Sequence, residues 1–339
     1  MKAVYLKAPN QFAVRDVELP APGAGEVVVE VRACGFCGHD KIMAGYAAAD
    51  WEPFGHEFAG VVAELGPGVT HLQVGDRVVV ETSIFDQLSD EARNGHPEWD
   101  TRGPNYMSLP HVAMGFAERT LVPEVLCVKF DGIPDEEACF IEPMGVAVDL
   151  ILTADIHLGN DVAVMGCGAI GLMALQMARR SGARRIYAIE HAHNARKAQL
   201  ALEYGADEVL FSDETDLTKY PFPRGGVDRV LVTTPPRTID LATRLLNVGG
   251  IAAFLGISYG PDAVVSFDSN VVHLNKLQIR GSNAIPALYF PQCLDLLRAG
   301  MVDVKKLITH TFPLEEAPEG IAAFLRDHGT AVKAVMLRP

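Results

Sequence analysis

Two cysteines, two histidines and two carboxylates lie close together near the start of the chain. The run CGFCGHD at 34–40 is followed by GHE at 55–57. A thiolate, an imidazole and a carboxylate suit Zn²⁺, and a catalytic zinc keeps three protein ligands and an open position. The two segments therefore indicate a candidate zinc site.

The spacing of Cys34 and Cys37 has three other interpretations. It is compatible with a redox pair, although no βαβ pattern surrounds it as in a thioredoxin-like motif. It is compatible with half of a four-cysteine structural zinc site, although the cysteines at 127, 139, 167 and 293 contain no second CxxC. It is also compatible with two buried thiols in a β domain.

A glycine-rich turn lies between an apolar strand pattern and a helical pattern. Gly166, Gly168 and Gly171 have GxGxxG spacing. Gly166 permits a tight turn, Gly168 lets the backbone approach a pyrophosphate, and Gly171 allows close packing of helix on strand. The first helical residues, Ala169 and Ile170, would face the negative charge. The pattern predicts a dinucleotide site, against the alternative of a tight turn without a nucleotide.

Glu190 ends the next predicted strand, 19 residues after Gly171. In this position its carboxylate would accept hydrogen bonds from the adenosine ribose hydroxyls and repel a ribose 2′-phosphate, which favours NAD over NADP. His191, His193 and Arg196 lie close enough in sequence to weaken that preference.

The elements that must position these residues are of two kinds. Up to about residue 150, short alternating runs at Val27–Val31, Gly60–Glu64 and Arg77–Val80 predict a small barrel-like β domain. From about residue 155, strands and helices alternate, which predicts a parallel sheet covered on both faces. The predicted strands there are Asp161–Gly166, Arg185–Glu190, Glu208–Phe211, Asp228–Thr233, Gly250–Gly256 and Leu277–Gly281, and the helices are Ala169–Arg180, Asn194–Tyr204 and Ile239–Leu246. The tail adds helices at Phe290–Ala299 and Leu314–Leu325 and a strand at Ala331–Met336.

The composition limits the classes of function. The 339 residues favour two domains, and 49% hydrophobic with 21% charged residues is typical of a chain that forms a core. The net charge of -14 argues against a nucleic-acid partner. The longest uncharged run, 162–178, is short for a bilayer and contains three glycines, so we expect no membrane association. The N-terminus has no signal-peptide pattern, which favours a cytoplasmic protein with free thiols.

Short motifs along the chain resemble, in type and order, those of zinc-dependent medium-chain dehydrogenases/reductases, with sorbitol (polyol) and threonine dehydrogenases nearest in character. The motifs are CGFCGHD at 34–40, GHEFAGVV at 55–62, VGDRV at 74–78, GFAE at 115–118, IEPMGVA at 141–147 and the glycine-rich turn at 166–171. The resemblance implies an α/β protein with a GroES-like β-barrel catalytic domain, formed by 1–150 and 285–339. A doubly wound Rossmann domain at 151–284 would bind NAD.

The resemblance also implies a ligand set. Cys37, rather than Cys34, would be the thiolate ligand, His56 the imidazole ligand and Glu142 a further ligand. Glu57 would reach the metal directly, through water or during ligand exchange, and Asp40 would orient His56. The alternatives are a salt bridge for Glu142 near the domain boundary and a buried thiol for Cys34.

Two departures from the family pattern affect the interpretation. The stretch 81–115 lacks the four cysteines of a structural zinc, so we expect one catalytic zinc and a lobe held by residues such as Phe85, Trp99 and Tyr106.

His39 stands where the family has Ser or Thr. A histidine could relay the substrate proton, act directly as general acid or base, or bind a substrate hydroxyl. Alternatively, its bulk only narrows the pocket.

The expected reaction is hydride transfer between an alcohol and NAD. A polar site favours a polyol, sugar, cyclitol or amino alcohol, and Tyr46, Trp51 and Phe116 are candidate pocket walls or core residues. The alternatives are a zinc-free quinone- or enoyl-reductase type that uses NADPH, and a non-catalytic NAD-binding protein. The family resemblance implies a homodimer or homotetramer, with Gly250–Gly256 as a candidate contact strand.

Overall fold

A computed structural model describes residues 1–339, in which three sheets contain all the strands. The strands are β1 Lys2–Lys7, β2 Gln11–Asp16, β3 Glu26–Gly35, β4 Glu52–Pro53, β5 Glu57–Leu65, β6 Arg77–Val80, β7 Arg119–Pro123, β8 Cys127–Lys129, β9 Asp161–Met165, β10 Arg185–Glu190, β11 Glu208–Phe211, β12 Val227–Val232, β13 Leu246–Phe254, β14 Gln278–Gly281, β15 Ile308–Phe312 and β16 Lys333–Leu337.

Ten α-helices accompany these strands. They are α1 Gly38–Ile42, α2 Asp90–Arg93, α3 Asp135–Ala138, α4 Ile141–Ala154, α5 Ala169–Arg180, α6 Ala195–Glu203, α7 Ile239–Arg244, α8 Ser269–Leu274, α9 Phe290–Arg298 and α10 Ala317–Arg326. None of these helices combines the length and the apolar character needed to span a bilayer.

Strands from both ends of the chain form the larger β-sheet. Its order is β15-β16-β3-β5-β6-β8, and β7 also pairs with β3. The central strand β3 is antiparallel to β5, β7 and β16. Consecutive residues along β3 are buried, so both of its faces are covered. The predicted strand Arg77–Val80 is confirmed with the same bounds, and the other two predicted strands lie inside β3 and β5.

The middle of the chain forms a six-stranded parallel sheet. Its order is β11-β10-β9-β12-β13-β14, and each neighbouring pair is parallel. This confirms the predicted α/β architecture, because buried parallel strands have compact apolar sequences that are easy to recognise. Helix α5 and strands β10 and β11 have the predicted bounds. Helix α7 ends at Arg244, whereas the prediction extended it to Leu246, which instead begins β13.

The candidate contact strand Gly250–Gly256 is not at the edge of this sheet. It corresponds mainly to β13, which pairs with β12 on one side and β14 on the other. This strand therefore has no free edge with which to pair with a second chain. Strands β11 and β14 are the edge strands, and their outer main-chain groups are the ones free to pair.

Helix α4 connects the two sheets and was not predicted as a helix. Its apolar sequence buries residues on most of its surface, and Pro143 occupies the first turn, where a missing N–H is tolerated. It packs against α5, α9 and strands β12 and β13. The same apolar core contains Val79 of the β-sheet and Val164 of the parallel sheet. Burial therefore fixes α4 between the sheets.

The lobe between β6 and β7 is only partly held as predicted. Tyr106 is fully buried, and its hydroxyl lies 2.8 Å from that of Thr120. Phe85 is half-buried. Trp99, however, is 64% exposed and stacks on the ring of His96, so it does not pack in the interior of the lobe.

We expect Leu150→Ala to lower the free energy of unfolding by about 2–5 kcal/mol, because Leu150 is fully buried on α4 between the sheets. Leu152→Ala is the matched control, since Leu152 lies on the same helix and is 56% exposed. Chemical denaturation of both variants measures the difference. Equal losses of stability would contradict the packing described for α4.

Candidate metal and dinucleotide site

Three candidate metal ligands meet where β3 and β5 begin to diverge. Cys37 follows β3 and caps α1, while His56 immediately precedes Glu57, the first residue of β5. In the antiparallel register Gly35 lies opposite Glu57, which brings the two segments together. One ligand atom from each of Cys37, His56 and Glu57 lies within 4.8 Å of the other two. Side chains predicted from separate motifs therefore form one cluster.

Asp40 lies beneath this cluster and holds the turn. Its carboxylate accepts a hydrogen bond from the Cys37 N–H at 3.0 Å, and its side chain is almost fully buried. The Asp40 carboxylate is 3.7 Å from His56 Nδ1, a distance at which they form an ion pair but no hydrogen bond. His56 Nδ1 has no hydrogen-bond partner. Asp40 is thus next to His56, but it does not orient the ring by a hydrogen bond in this conformation.

Glu142 lies outside the tight cluster. It occupies the first turn of α4 and lines a small cavity together with Thr82 and Tyr289. Burial raises the pKa of its carboxyl group, and the nearby His56 partly offsets that effect. Its charge therefore acts on the cluster, but the group of three atoms within 4.8 Å contains Glu57 rather than Glu142.

Lys333 is a site residue that the sequence analysis missed. Its ammonium group, on β16, forms a buried ion pair with the carboxylate of Glu57. Burial tends to lower the pKa of Lys333, but Glu57 and Cys37 outweigh it and raise the pKa. A single lysine inside the apolar run 331–336 was the available signal, because a buried lysine is rare unless it is paired.

The electrostatics of the cluster fit a divalent cation. Burial and the nearby Glu57 raise the pKa of the Cys37 thiol. Burial alone would lower the pKa of His56, but the charges of Cys37 and Asp40 raise it. Buried acidic groups thus outnumber the basic ones, and a bound cation would stabilise their deprotonated forms. The unpartnered His56 nitrogen and the mixed S, N and O donors fit zinc.

His39 faces this cluster from α1. Its ring centroid is 6.2 Å from that of His56. Burial and His56 lower the pKa of His39. Its Nε2 lies 3.0 Å from the hydroxyl of Tyr259, a residue that no sequence motif indicated. Tyr46, a predicted pocket residue, is 57% exposed and has its ring edge towards Tyr259, at 6.5 Å between centroids.

The other two predicted pocket aromatics do not face the cluster. Phe116 is fully buried and stacks on Phe54 with centroids 4.5 Å apart, so it is a core residue. The Arg15 guanidinium lies 4.5 Å from the centre of the Trp51 ring, against the small β1–β2–β4 sheet. Of the two alternatives left open by the sequence, the structure thus favours the core for Phe116, and it gives Trp51 a packing role.

The glycine-rich turn has the geometry that its three glycines require. Gly166 has φ +92°, a left-handed conformation that favours glycine. A Cβ at Gly171 would lie 2.0 Å from the carbonyl oxygen of Gly166, so only glycine fits there. A Cβ at Gly168 would meet no atom within 4 Å, which leaves its backbone open to a ligand. Helix α5 begins at Ala169, and the N–H groups of Ala169 and Ile170 lack an intrahelical acceptor.

Glu190 lies beside this turn, and the protein already engages its carboxylate. The main-chain N–H of Cys167 donates to Oε2 at 2.9 Å. The His191 N–H and the Asn194 side-chain amide donate to Oε1 at 2.9 and 2.8 Å. A carboxylate has about four acceptor positions. The contacts therefore fix Glu190 and leave it little capacity for a ribose hydroxyl.

One cleft joins the metal cluster to the glycine-rich turn. It has a volume of about 410 Å³, and its lining includes Cys37, Glu57, Gly168, Lys197 and Lys333. Lys197 and the start of α5 give the cleft positive groups at the turn, while the thiol and the Glu57–Lys333 ion pair lie at the other end. The geometry is thus suited to a phosphate-containing ligand that extends to a metal.

Comparison with known families distinguishes an N-terminal part and a middle part of the chain. The model of the alcohol dehydrogenase GroES-like domain matches residues 23–135, and that of the zinc-binding dehydrogenase domain matches residues 169–299. L-Threonine 3-dehydrogenase of Caldanaerobacter subterraneus is 34% identical, over 91% of each chain. The chain belongs to the zinc-type medium-chain alcohol and polyol dehydrogenases.

Solved members of the family have the same architecture. An alcohol dehydrogenase from Escherichia coli CFT073, in complex with NADH, superposes with a TM-score of 0.87 at 26% identity, covering 100% of this chain and 99% of the other. A zinc-binding dehydrogenase from Sinorhizobium meliloti 1021, bound to NADP, has a TM-score of 0.85 at 27% identity, covering 99% of each chain. The GroES-like and Rossmann-like fold is therefore confirmed.

Substitutions in the turn should separate folding from ligand binding. We expect Gly171→Ala to lower the free energy of unfolding by about 1–3 kcal/mol, since its Cβ would overlap the Gly166 carbonyl. Gly168→Ala should leave stability unchanged but weaken NADH binding about tenfold, because its Cβ would occupy the open approach to the backbone. Thermal unfolding and NADH fluorescence titration measure the two effects. Equal effects on both properties would contradict the assigned roles.

Proposed function

We propose that this protein oxidises a secondary alcohol with NAD at a single catalytic zinc. The observation that carries the proposal is that Cys37, His56 and Glu57 meet within 4.8 Å in the cleft that also contains the glycine-rich turn. A metal-ligand set and a pyrophosphate-binding turn in one cleft suit hydride transfer between a bound alcohol and a nicotinamide.

Cys37 and His56 would hold the zinc, with a carboxylate as the third ligand. Glu57 is in reach of the other two, whereas Glu142 would have to move closer. The ion pair with Lys333 holds the Glu57 carboxylate beside the other two groups, where it could contact the metal directly, through water or transiently. Zinc supplies Lewis acidity that lowers the pKa of an alcohol hydroxyl.

His39 is the residue placed to take the substrate proton. Its imidazole is half-buried, faces His56 and has a nitrogen that already makes a hydrogen bond. A neutral imidazole accepts a proton at one nitrogen and donates from the other, as a relay requires. Asp40, by holding the turn at Cys37, keeps α1 and therefore His39 in position.

The preferred dinucleotide in this proposal is NAD. The backbone at Gly168 and the first turn of α5, with Ala169 and Ile170, would bind the pyrophosphate. The fixed carboxylate of Glu190 places a negative charge beside the turn, where it would oppose a 2′-phosphate. The NADH complex of a relative supports this choice, and the NADP complex of another makes it a point to test.

The substrate class is proposed from the polar groups at the site. The His39 imidazole faces the cluster, and together with the cluster's carboxylates and the exposed Tyr46 hydroxyl it would offer hydrogen bonds to a substrate with more than one hydroxyl or amino group. L-Threonine 3-dehydrogenase, a relative, takes its name from a substrate with a secondary hydroxyl beside an amine. We therefore propose a polyol, sugar, cyclitol or amino alcohol as the substrate.

We propose that the catalytic domain comprises 1–150 and 285–339 and surrounds the NAD-binding domain at 151–284. The pairing of β16 with β3 supports this division. We also propose a homodimer or homotetramer that uses the β14 edge; near the start of β14, Leu274 of α8 and Val248 of β13 are both more than 70% exposed. The six unpaired cysteines are consistent with a reducing cytoplasm.

A zinc-free reductase of the same superfamily is the second candidate. It would explain why Lys333 already neutralises Glu57 without a cation. It gives no reason, however, for a thiol, an imidazole and a carboxylate to be buried within 4.8 Å of one another. A non-catalytic NAD-binding protein has the same difficulty.

Metal analysis tests the zinc site. We expect the purified protein to contain about one zinc per chain and Cys37→Ser to contain less than about half an equivalent, because the variant loses the thiolate ligand. Cys34→Ala is the control and should retain zinc, since Cys34 is buried outside the ligand group. Activity that survives complete removal of zinc by a chelator would favour the zinc-free alternative.

A substrate screen tests the reaction and the dinucleotide together. Polyols, sugars, cyclitols and amino alcohols, offered with NAD, should give an increase in NADH absorbance for at least one class. For that substrate, kcat/KM with NAD should exceed that with NADP by about tenfold or more, because Glu190 adds repulsion. A preference for NADP would contradict the role proposed for Glu190.

A further inference from the structure

The hydroxyl of Tyr259 makes the one side-chain hydrogen bond of His39. The Tyr259 Oη and His39 Nε2 atoms are 3.0 Å apart, and the ring centroids are 6.4 Å apart with a tilt of 44°. The two residues are 220 positions apart in sequence. No motif assigns a role to Tyr259, which lies between β13 and α8.

His39 has few other restraints. It belongs to the first turn of the five-residue helix α1, and its side chain is half-buried. The hydrogen bond to Cys37 Sγ comes from the His39 main chain, so it leaves the ring free to rotate. The neighbouring His56 ring is in edge-to-face orientation at 6.2 Å, a contact that excludes one side but fixes no rotamer. Without Tyr259, the imidazole would have several accessible rotamers.

The contact also links the two halves of the cleft. His39 follows β3 of the large β-sheet, whereas Tyr259 follows β13 of the parallel sheet. The position of the imidazole over the cluster therefore depends on how the two sheets are arranged. An imidazole aligned in this way would be ready for the substrate, since errors of about 1 Å in position can reduce a rate about 10²-fold.

Tyr46 completes a row of three rings. Its ring is perpendicular to that of Tyr259, and it makes no hydrogen bond to His39. Its contact limits the side-to-side movement of the Tyr259 phenol, so the hydroxyl remains directed at His39.

We infer that Tyr259 is a positioning residue that holds the His39 imidazole over the metal cluster through its hydroxyl. The expected effect on kcat rests on the proposed alcohol oxidation, whereas the contact between Tyr259 and His39 does not depend on it. Tyr259 acts through His39, so removing its hydroxyl should matter only while the imidazole is present.

A double-mutant cycle tests this dependence. We expect Tyr259→Phe to lower kcat about tenfold with little change in the KM for NAD, because the ring stays and only the hydrogen bond is lost. In the His39→Ala background, the same substitution should change kcat by less than about twofold. An equal loss in both backgrounds, or no loss in the first, would overturn the inference.

Chemical modification tests the contact without turnover. Diethyl pyrocarbonate modifies unprotonated imidazole nitrogens, and peptide mass spectrometry locates the adduct. Tyr259→Phe should increase the modification rate of His39 several-fold, while that of His157, whose side chain is 68% exposed, should stay constant as an internal reference. An unchanged His39 rate would overturn the inference.

Tyr220→Phe is the matched control for the loss of a tyrosine hydroxyl. Tyr220 donates a hydrogen bond to Glu208 at 2.6 Å on the outer side of the parallel sheet, away from the cluster. The Tyr220→Phe substitution should alter neither kcat nor the His39 modification rate. If the wild-type protein oxidises no alcohol, the proposed function fails, and the modification rates still decide whether Tyr259 restrains His39.

Discussion

The site depends on one constraint: the buried negative charge of Glu57 and the buried positive charge of Lys333 must neutralise each other. Both side chains are almost fully buried, and removing an ion from water is expensive unless a partner of opposite charge is present. Glu57 begins β5 and Lys333 begins β16, and both strands pair with the same strand, β3. The ion pair can therefore form only when the C-terminal strand joins the sheet, and the same sheet brings Cys37 and His56 together.

The two halves of the cleft use different physical devices. In the parallel sheet, main-chain sterics determine the turn, because Gly166 is left-handed and Gly171 leaves no room for a side chain. In the large β-sheet, side-chain chemistry determines the site, because buried acidic groups surround a histidine and a lysine. Helix α4 packs between them in one continuous core and also holds Glu142, so the element that joins the sheets carries a buried carboxyl group near the cluster.

The parts that were predictable are those encoded by neighbouring residues. The strand, turn and helix from Asp161 to Arg180 were recognised because apolar runs and glycine spacing repeat locally. Helix α4 was missed because it is apolar on most sides, so it lacks the amphipathic period that identifies a surface helix. The sequence left Phe116 open as a pocket or core residue because a motif gives its neighbours in sequence, whereas its burial depends on Phe36 and Phe54.

The sequence by itself determined the candidate ligand types, the glycine turn and the alternation of elements, since each depends on residues within a few positions of one another. Tertiary structure alone decided that Glu57 rather than Glu142 completes the tight cluster, and that Lys333 neutralises it. It also decided that Tyr259 meets His39 across 220 residues of chain. These contacts join segments from different sheets, and their distances follow from packing and from the requirement to pair buried charges, which no local pattern encodes.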